Sequence, residues 1–536
     1  MHSFTIKTIF IVMKRINYIA LTLGLLAINA CTKLDLQPLS TTTPPVLFQD
    51  ESSYRAFIAR VYAGIAVTGQ QGPSGQADIS SLDEGFSNYL RQLWQFQELT
   101  TDEAVIAWGD EGLPDLHNHA WTSANQFVRA MYYRIFFQVS MANEFLRETT
   151  DAKLDERGVS QDTRDAIKAY RAEARFMRAL SYWHGIDLFG NIPFYTETSG
   201  IGSAAPEQAD RAEVFEFIDS ELKAIENDMV APGQNEYGRA DRAALWVLQA
   251  KLYLNAEVYA GHNHYSDCVA ACKKVIDSGI YSLDDNYRNL FMADNHLSKE
   301  IIFAIPFDGL STQTWGGLTY LVHANVGGTM TPGDYGINGG WFGIRTTSKM
   351  VDRFPDPTGA VDERAIFYTT GQNKEINSIS TFGDGYAVPK YTNVTSDGVA
   401  GSDLNFPDTD YPMFRLADVY LMYAEAVLRG GTGGDAGTAL GYVNALRQRA
   451  YNNNSGNITA NELTLDFILD ERGRELYFEG HRRTDLIRFK QFTENGIWPW
   501  KGGVKDGKTT ETFRNVLPIP TSEILANKNL RQNDGY

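Results

Sequence analysis

Long stretches of this chain carry apolar residues three and four positions apart. They occupy residues 52–65, 125–149 and 164–190, as in "YYRIFFQVSMANEFL". This spacing places the apolar side chains on one face of an α-helix. Breakers such as "FGNIP" at 189–193 end the pattern cleanly. The chain of 536 residues is therefore predicted to be mainly α-helical.

A small residue followed three places later by an aromatic one recurs in these helices. The pairs are Ala59 and Tyr62, Ala179 and Tyr182, Ala250 and Tyr253, and more weakly Ala424 and Val427, with Trp246 four residues before Ala250. Ordinary helix packing explains any single pair, but the set is typical of tetratricopeptide helices, in which the small residue lets the paired helix approach. We expect about four such hairpins. Because the copies lie much farther apart than the repeat length of about 34 residues, large insertions must separate them.

The largest insertion spans about residues 281–412. It is crowded with glycine and turn residues and contains short strand-like runs such as "EIIFAIPF". Loops of this length in a compact protein are usually functional or disordered, and the aromatic content argues against disorder. We therefore expect residues 51–536 to form a single domain, in which helical hairpins pack against an irregular, loop-rich region with few short strands.

The N-terminus has the features of an export signal. Lys14 and Arg15 precede an apolar run at 18–28, and Ala30 is a small residue directly before Cys31. The run is too short to cross a bilayer, which needs about 20 apolar residues. A cysteine at the cleavage point is typical of bacterial lipoproteins, whereas a soluble exported protein needs none.

We interpret residues 1–30 as a lipoprotein signal peptide and Cys31 as the lipid attachment site. Met13 is a better signal start than Met1, because an apolar stretch precedes the basic pair when the chain starts at Met1. Residues 31–50 are rich in Thr and Pro and lack periodicity, so they are predicted to form an extended tether between membrane and domain.

Composition excludes several classes of function. The formal net charge is −18 and is spread along the chain, which argues against binding to nucleic acid. Hydrophobic residues make up 43% of the chain, enough for a large core, and no later stretch is long and apolar enough to span a membrane. Three cysteines are too few for a disulfide framework.

Charges of alternating sign crowd the segment "ERGRELYFEGHRRTDLIRF". Its charged residues are Glu471, Arg472, Arg474, Glu475, Glu479, Arg482, Arg483, Asp485 and Arg488. Two of the carboxylates could form a catalytic acid–base pair. We favour a salt-bridge network that locks the last helices against the body, because arginine suits buried bidentate pairing.

Two groups of histidines could suggest a metal. His262 and His264 precede Cys268 and Cys272, but the cysteines fit better as small apolar residues on the packed face of a helix. His117 is near His119.

Near His117 and His119, Asp110 and Asp115 are better explained by hydrogen bonding than by metal binding. No phosphate loop, nucleophile elbow or HExxH motif occurs. We predict no catalytic residue, no metal and no cofactor.

Four segments resemble, in order, the signature segments of the SusD/RagB family. They are "EARFMRALSYWHGIDLFGNIPF" at 173–194, "RLADVYLMYAEAVLR" at 415–429, "ILDERGRELYFEGHRRTDLIRFK" at 468–490 and "LPIPTSEILANKNLRQNDGY" at 517–536. The likeness runs from Cys31 to the C-terminus. It departs from the family pattern at Gly473, where a second arginine is more usual, and in the lipobox-like "INAC".

The resemblance implies a lipid-anchored protein on the outer-membrane surface of Bacteroidetes bacteria. Such proteins cap a TonB-dependent transporter of the SusC type and hold glycan or another nutrient for import. The family's ligand contacts come mostly from loops, and their residues vary between members. They can therefore be assigned to this chain only by region.

Sugars present apolar C–H faces and a rim of hydroxyls, which aromatic platforms beside amides and carboxylates can bind. Two loop regions supply such residues. The candidates are Trp108 and Asp110 in the first region, and Asn295, Trp315, Tyr320, Tyr335, Asn338 and Trp341 in the large insertion. For any one of these aromatics, a place in the core of a loop is the alternative.

The function predicted from sequence is that of a cell-surface lipoprotein that binds glycan and delivers it to a SusC-type transporter. A surface scaffold, or a peptide-binding receptor using the same transporter, is the alternative. A glycoside hydrolase is a third possibility, because the chain has 66 acidic residues, although no motif pairs two of them.

Overall fold

Helices form most of the regular structure in the computed structural model, which describes residues 48, 50–200 and 205–536. In these residues the α-helices are α1 (Glu51–Ala66), α2 (Tyr89–Glu98), α3 (Pro114–Asn118), α4 (Gln126–Glu148), α5 (Asp151–Glu156), α6 (Gln161–Phe189), α7 (Arg211–Ile225), α8 (Arg242–Leu254), α9 (Ala256–Ala260), α10 (Tyr265–Asp277), α11 (Gly317–Ala324), α12 (Ser348–Val351), α13 (Leu416–Leu428), α14 (Ala436–Tyr451), α15 (Leu465–Leu476), α16 (Arg482–Arg488) and α17 (Thr521–Ala526). Residues 54–536 form one compact unit. The prediction of a mainly helical chain is confirmed.

Local sequence signals begin and end the long helices. The Asn125 side chain accepts hydrogen bonds from the backbone N–H groups of Phe127 and Val128, at 2.9 and 3.3 Å, and so caps α4. Ser160 caps α6 in the same way. Helix α6 ends at Gly190, whose φ of 71° is accessible to glycine at little cost.

Neighbouring long helices pack side by side. Contacts join α4 to α6, α6 to α7, α8 to α10 and α13 to α14, and α10 also packs against α13. The chain therefore contains successive helix pairs, as the recurring small residues predict. That these pairs have tetratricopeptide geometry stays a prediction.

Three copies of the recurring pattern bury the small residue, and one does not. Ala179, Ala250 and Ala424 are fully buried. Ala59 is exposed on α1. The first copy thus departs from the prediction, because a two-stranded hairpin rather than a second helix follows α1.

Short strands pair in twos, as predicted for the irregular region. The strands are β1 (Gly69–Gln71), β2 (Gly75–Ala77), β3 (Ala104–Ile106), β4 (Ile192–Pro193), β5 (Gln208–Ala209), β6 (Ile301–Ile305), β7 (Ile344–Thr346) and β8 (Tyr411–Arg415). The antiparallel pairs are β1–β2, β3–β7, β4–β5 and β6–β8. The β6–β8 pair joins the start of the large insertion to its end.

The charged segment at 471–488 forms a buried ionic network, which confirms the structural interpretation of its alternating charges. The ion pairs of the network are Arg364 with Asp362, Glu471 and Glu475; Arg415 with Glu300, Glu475 and Glu479; Arg449 with Glu300 and Glu475; Arg447 and Arg474 with Glu471; Lys390 with Glu479; Arg472 with Asp418 and Asp485; Arg488 with Glu425 and Asp485; and Arg482 with Asp102. The network ties the C-terminal helices to the insertion and to α13.

Two positions in this segment need a separate account. Among the described residues, buried Arg483 makes no ion pair; it donates to the Asn515 carbonyl at 2.9 Å, and burial lowers its pKa to about 10. At Gly473 an added Cβ would lie 3.1 Å from Cδ and Nε of Arg353, which reaches across this glycine to pair with Asp102. A side chain at position 473 would press against Arg353.

Cys268 and Cys272 have the structural role predicted for them, and His119 and Asp115 make hydrogen bonds. Cys268 and Cys272 are fully buried on α10, and burial raises the pKa of the Cys272 thiol well above its ordinary value. The His119 ring is buried, with Nε2 2.7 Å from the Thr100 carbonyl oxygen. Asp115 accepts a hydrogen bond from Asn125, as predicted.

The predictions for the N-terminus lie outside the described residues. They concern the signal peptide, the start at Met1 or Met13, lipid attachment at Cys31 and most of the tether. Among the helices of residues 50–200 and 205–536, none combines the length and apolarity needed to cross a membrane.

Candidate ligand-binding site

Trp108 is placed by strand β3. Residues Ala104–Ile106 pair antiparallel with Ile344–Thr346, and the Ala107 N–H continues the ladder by donating to the Gly343 carbonyl at 2.9 Å. Trp108 therefore emerges from the strand beside residues 341–343. Two segments more than two hundred positions apart in the chain meet here.

Helix α11 brings a third segment to the same place. The Trp341 N–H donates to the His323 carbonyl at 2.8 Å, and the Gly343 N–H donates to the Ala324 carbonyl at 2.9 Å. Trp315 stands just before the first residue of α11. Backbone hydrogen bonds therefore hold the segments of Trp108 and Trp341 together beside α11, and Trp315 lies just before that helix.

We call Trp108, Trp315 and Trp341 the tryptophan cluster. The ring centroids of Trp108 and Trp341 are 6.3 Å apart, and those of Trp315 and Trp341 are 6.4 Å apart. Phe406 packs on Trp315 at 5.0 Å. Each of the three indoles is only partly buried, so the cluster presents an aromatic surface to solvent.

Arg91 and Tyr320 pack against the buried side of the tryptophan cluster. The Arg91 guanidinium lies 4.3 Å from the centre of the Tyr320 ring and donates to the carbonyls of Gly85 and Trp315, at 2.8 and 3.3 Å. Burial lowers the pKa of Arg91 and raises that of Tyr320 to about 12. Sequence reasoning missed Arg91, because an arginine within an amphipathic helix gives no sign of what it will touch.

His323 links two loops of the site. Its ring stacks on Trp341 at 4.8 Å, and its Nδ1 and Nε2 lie 2.6 and 2.9 Å from the carbonyl oxygens of Gly339 and Asn405. Burial lowers the pKa of His323. A neutral imidazole carries one N–H, so it donates to one of these two carbonyls at a time.

Comparison with known proteins identifies the family. A family model described as the SusD family matches residues 364–536. The starch-binding protein SusD of Bacteroides thetaiotaomicron is 36% identical to this chain, over 94% of the chain and 95% of that protein. The chain belongs to the SusD family.

Solved structures of the SusD family share the fold. A SusD superfamily protein from Bacteroides vulgatus has a TM-score of 0.70 at 20% identity and covers 91% of this chain and 100% of its own. Surface glycan-binding protein A from Bacteroides thetaiotaomicron, solved in complex with laminarihexaose, has a TM-score of 0.68 at 19% identity, with 90% and 99% covered.

The part of the chain that matches the SusD family model begins at Arg364, a member of the buried ionic network. The tryptophan cluster lies outside this part. Most members of the network lie in the matched segment, whereas Asp102, Glu300 and Asp362 lie before it.

Three predicted site residues are wholly or partly exposed. Asp110 and Asn338 are exposed, and the Asn338 amide donates to the Asn405 side chain at 2.5 Å. Tyr335 is half-buried at the end of a short 3-10 helix, Pro332–Tyr335. Among the described residues, its ring contacts none of the three tryptophans.

Burial rules out the direct ligand contacts predicted for two residues. Tyr320 is fully buried beneath Trp108 and can only support the cluster. Asn295 is 1% exposed, and its amide donates to the Leu290 and Asp410 carbonyls while its oxygen accepts from the Asp410 N–H. Asn295 therefore has no group left for a ligand, and the predicted direct contact is wrong.

Proposed function

We propose that this protein binds an oligosaccharide or polysaccharide on the tryptophan cluster, without changing it chemically, and passes it to a partner TonB-dependent outer-membrane transporter of the SusC type. Membership of the SusD family supports the proposal. A relative over nearly the whole length is named for starch binding, and a structural neighbour was solved with laminarihexaose.

One observation carries the proposal: Trp108, Trp315 and Trp341 come from separate segments and still form one partly exposed aromatic surface. Indole faces suit the apolar faces of sugar rings. Aromatic stacking contributes about 0.5–1.5 kcal/mol beyond area burial. A few such contacts with some hydrogen bonds give a dissociation constant of roughly micromolar to millimolar, which suits a protein that must release its ligand.

A glycoside hydrolase would need two carboxyl groups beside the bound sugar. The structure does bring Glu98 and Glu103 together, and burial raises the pKa of both. Both side chains are enclosed in the core, where Glu98 accepts from the Gly480 N–H and Glu103 from the Phe478 N–H. A substrate cannot reach this pair, so we assign it a structural role and propose binding without catalysis.

The proposed location is the cell surface, with a lipid on Cys31 anchoring the protein to the outer membrane. The apolar run that ends just before Cys31 supports this, as does the Thr- and Pro-rich segment that follows it. A scaffold that binds only proteins remains the competing proposal. It predicts that the tryptophan cluster has no affinity for sugars.

Isothermal titration with maltoheptaose and laminarihexaose tests the proposal. We expect at least one of them to bind the wild-type protein and Trp341→Ala to bind it several-fold more weakly. Trp246→Ala is the matched control, because Trp246 is also partly buried but lies on α8 and donates to Glu226. Equal affinities for all three proteins would reject the tryptophan cluster as the site. A panel of glycans that all fail to bind would favour the scaffold.

A further inference from the structure

A second cleft opens beside helix α1. It has a volume of about 610 Å³ and is bounded by α1, the β1–β2 hairpin, the loop at 236–239 and the segment at 305–313. Ligand sites of proteins usually measure roughly 300–1,000 Å³. The exposed Ala59, which sets the first copy of the helical pattern apart, lines this cleft.

Tyr237 provides an aromatic surface in the cleft. It is 50% exposed, yet its hydroxyl donates to Oδ2 of Asp410 at 2.6 Å. Asp410 is itself buried and accepts from the Phe307 N–H at 2.7 Å. The Asn295 side chain donates to the Asp410 carbonyl and accepts from the Asp410 N–H. The Tyr237 ring is therefore held rigidly while half of it faces solvent.

The arginines around the cleft are already neutralised. Arg55 pairs with Glu236 at 2.8 Å, Arg60 pairs with Asp78, and Arg239 pairs with Glu173. An anionic ligand would have to compete with these carboxylates. The charges of the cleft therefore favour a neutral ligand.

Polar groups are available beside the aromatic ring. Within the described part of the chain, the side chains of Gln70, Ser311 and Thr312 make no hydrogen bond, and all three line the cleft. Ile58 and Pro306 add apolar surface. Amides and hydroxyls next to an aromatic ring, without a free charge, match the hydroxyls and C–H faces of a neutral sugar.

We propose that this cleft is a second saccharide-binding site, which holds a neutral oligosaccharide against the Tyr237 ring and is independent of the tryptophan cluster. The Gln70, Ser311 and Thr312 side chains would hydrogen-bond the sugar hydroxyls. The segment at 305–313 that bounds the cleft leads directly to Trp315. A short stretch of chain therefore connects the two sites.

Titration in a Trp315→Ala/Trp341→Ala background isolates the cleft from the first site. In this background, Ala59→Trp fills the cleft from an exposed helix position. Ala56→Trp places the same bulk on an exposed position of α1 that does not line the cleft. The probes are maltoheptaose, laminarihexaose and, as an acidic sugar, a galacturonic acid oligomer. Thermal unfolding of each variant shows whether it is folded.

We expect a neutral probe to bind this background, Ala59→Trp to weaken that binding about tenfold, and Ala56→Trp to leave it unchanged. Equal affinities of the Ala59→Trp and Ala56→Trp proteins for a neutral probe would overturn the second site. So would the failure of both neutral probes to bind. Tighter binding of the acidic oligomer would overturn its assignment to neutral sugars. Failure of the tryptophan cluster is detected separately, because the Trp341→Ala protein would then bind glycan as tightly as the wild type.

Tyr237 has its own pair of variants, which keeps the test independent of the inserted tryptophan. Tyr237→Phe keeps the ring and removes the hydroxyl, whereas Tyr237→Ala removes both. We expect Tyr237→Phe to retain binding and Tyr237→Ala to lose it. Equal losses in the two proteins would contradict the ring as a stacking surface.

Discussion

The indole Nε1 of Trp108 donates a hydrogen bond of 2.9 Å to the carbonyl oxygen of Trp341. Because the acceptor is a backbone atom, this bond is kept when the Trp341 side chain changes. The relative position of the two segments is therefore set by the protein and not by a ligand. A preformed surface of this kind loses little conformational freedom when it binds.

Gly343 controls how closely Trp108 approaches this segment. A Cβ at position 343 would lie 2.8 Å from Cε2 and Cζ2 of Trp108, and a rigid indole ring cannot yield without moving as a whole. We expect Gly343→Ala to displace the ring, to weaken glycan binding about tenfold and to destabilise the protein by about 1–3 kcal/mol. Titration and chemical denaturation measure the two effects.

Gly339→Ala is the control for that change. It lies in the same loop, and no heavy atom lies within 4 Å of its added Cβ. Its carbonyl, which faces His323, is unaffected. If both alanine variants bound glycan like the wild type, the fit of Trp108 against Gly343 would not matter for the site.

Arg415 tests the buried ionic network. It pairs with Glu300, Glu475 and Glu479 at 2.6–2.8 Å, and all four side chains are buried. Removing one partner of a buried pair leaves uncompensated charge, so Arg415→Met should lower the free energy of unfolding by about 3–5 kcal/mol. Urea denaturation measures the change.

Lys168→Met serves as the comparison for Arg415→Met. Lys168 pairs with Asp228 on the surface and is 67% exposed, so its loss should cost about 0–1 kcal/mol. Similar losses in the two proteins would mean that burial of the network has no special effect on stability.

Acid should unfold the protein through the same network. Burial opposes ionisation of Glu471 and Asp485, but the surrounding arginines prevail and lower the pKa of each to about 2. An acid whose pKa is lower in the folded protein than in the unfolded chain stabilises the folded state at pH values above the unfolded pKa. This stabilisation is lost as the pH falls through the folded pKa. For Glu471, whose ordinary value is 4.5, this amounts to about 3 kcal/mol.

We therefore expect the free energy of unfolding to fall steeply between pH 4.5 and about pH 2. Asp151→Asn should leave the profile unchanged, because this carboxylate is 82% exposed and outside the network. Burial raises the pKa of Asp410 from 3.8 to about 6, so this group lowers the free energy of unfolding as the pH rises between those two values. A flat profile below pH 4.5 would contradict the assigned charges.

Lipid attachment at Cys31 remains to be tested in cells. Cys31→Ala removes the sulfur that we propose carries the lipid, so we expect the protein to move from the membrane fraction to the soluble fraction. Cys268→Ala is the control, since Cys268 is buried on α10. Membrane retention of the Cys31→Ala protein would count against the anchor.

Local patterns were enough to predict the helices, the short strands and the role of the charged C-terminal segment. Part of their cause lies within a few residues, as in the cap at Asn125 or the pairing of Glu471 with Arg474, whereas the remaining partners of Glu471 come from distant segments. Loop context also named the three tryptophans among the candidates, in two separate regions, but did not predict that their rings lie side by side. Ala59 was misinterpreted because its neighbours in sequence resemble those of the buried copies.

The roles of Asn295, Tyr320 and Arg91 could not be predicted for a different reason. Their surroundings are built by segments 115 to 225 positions away, including Asp410 for Asn295 and Gln95 for Tyr320. An asparagine in a turn-rich loop has the same local sequence whether it faces solvent or the core. Only the assembled fold decides between the two.

The buried ionic network also determines when the chain can finish folding. A chain that stops before Ile468 lacks Glu471, Glu475 and Glu479, which leaves Arg364 and Arg415 each with one carboxylate partner. Arg364 and Arg415 would then be poorly compensated cations in the core until residues 468–490 pack against them. Chains that lack residues 468–490 should therefore be cut by proteases faster than chains that contain them.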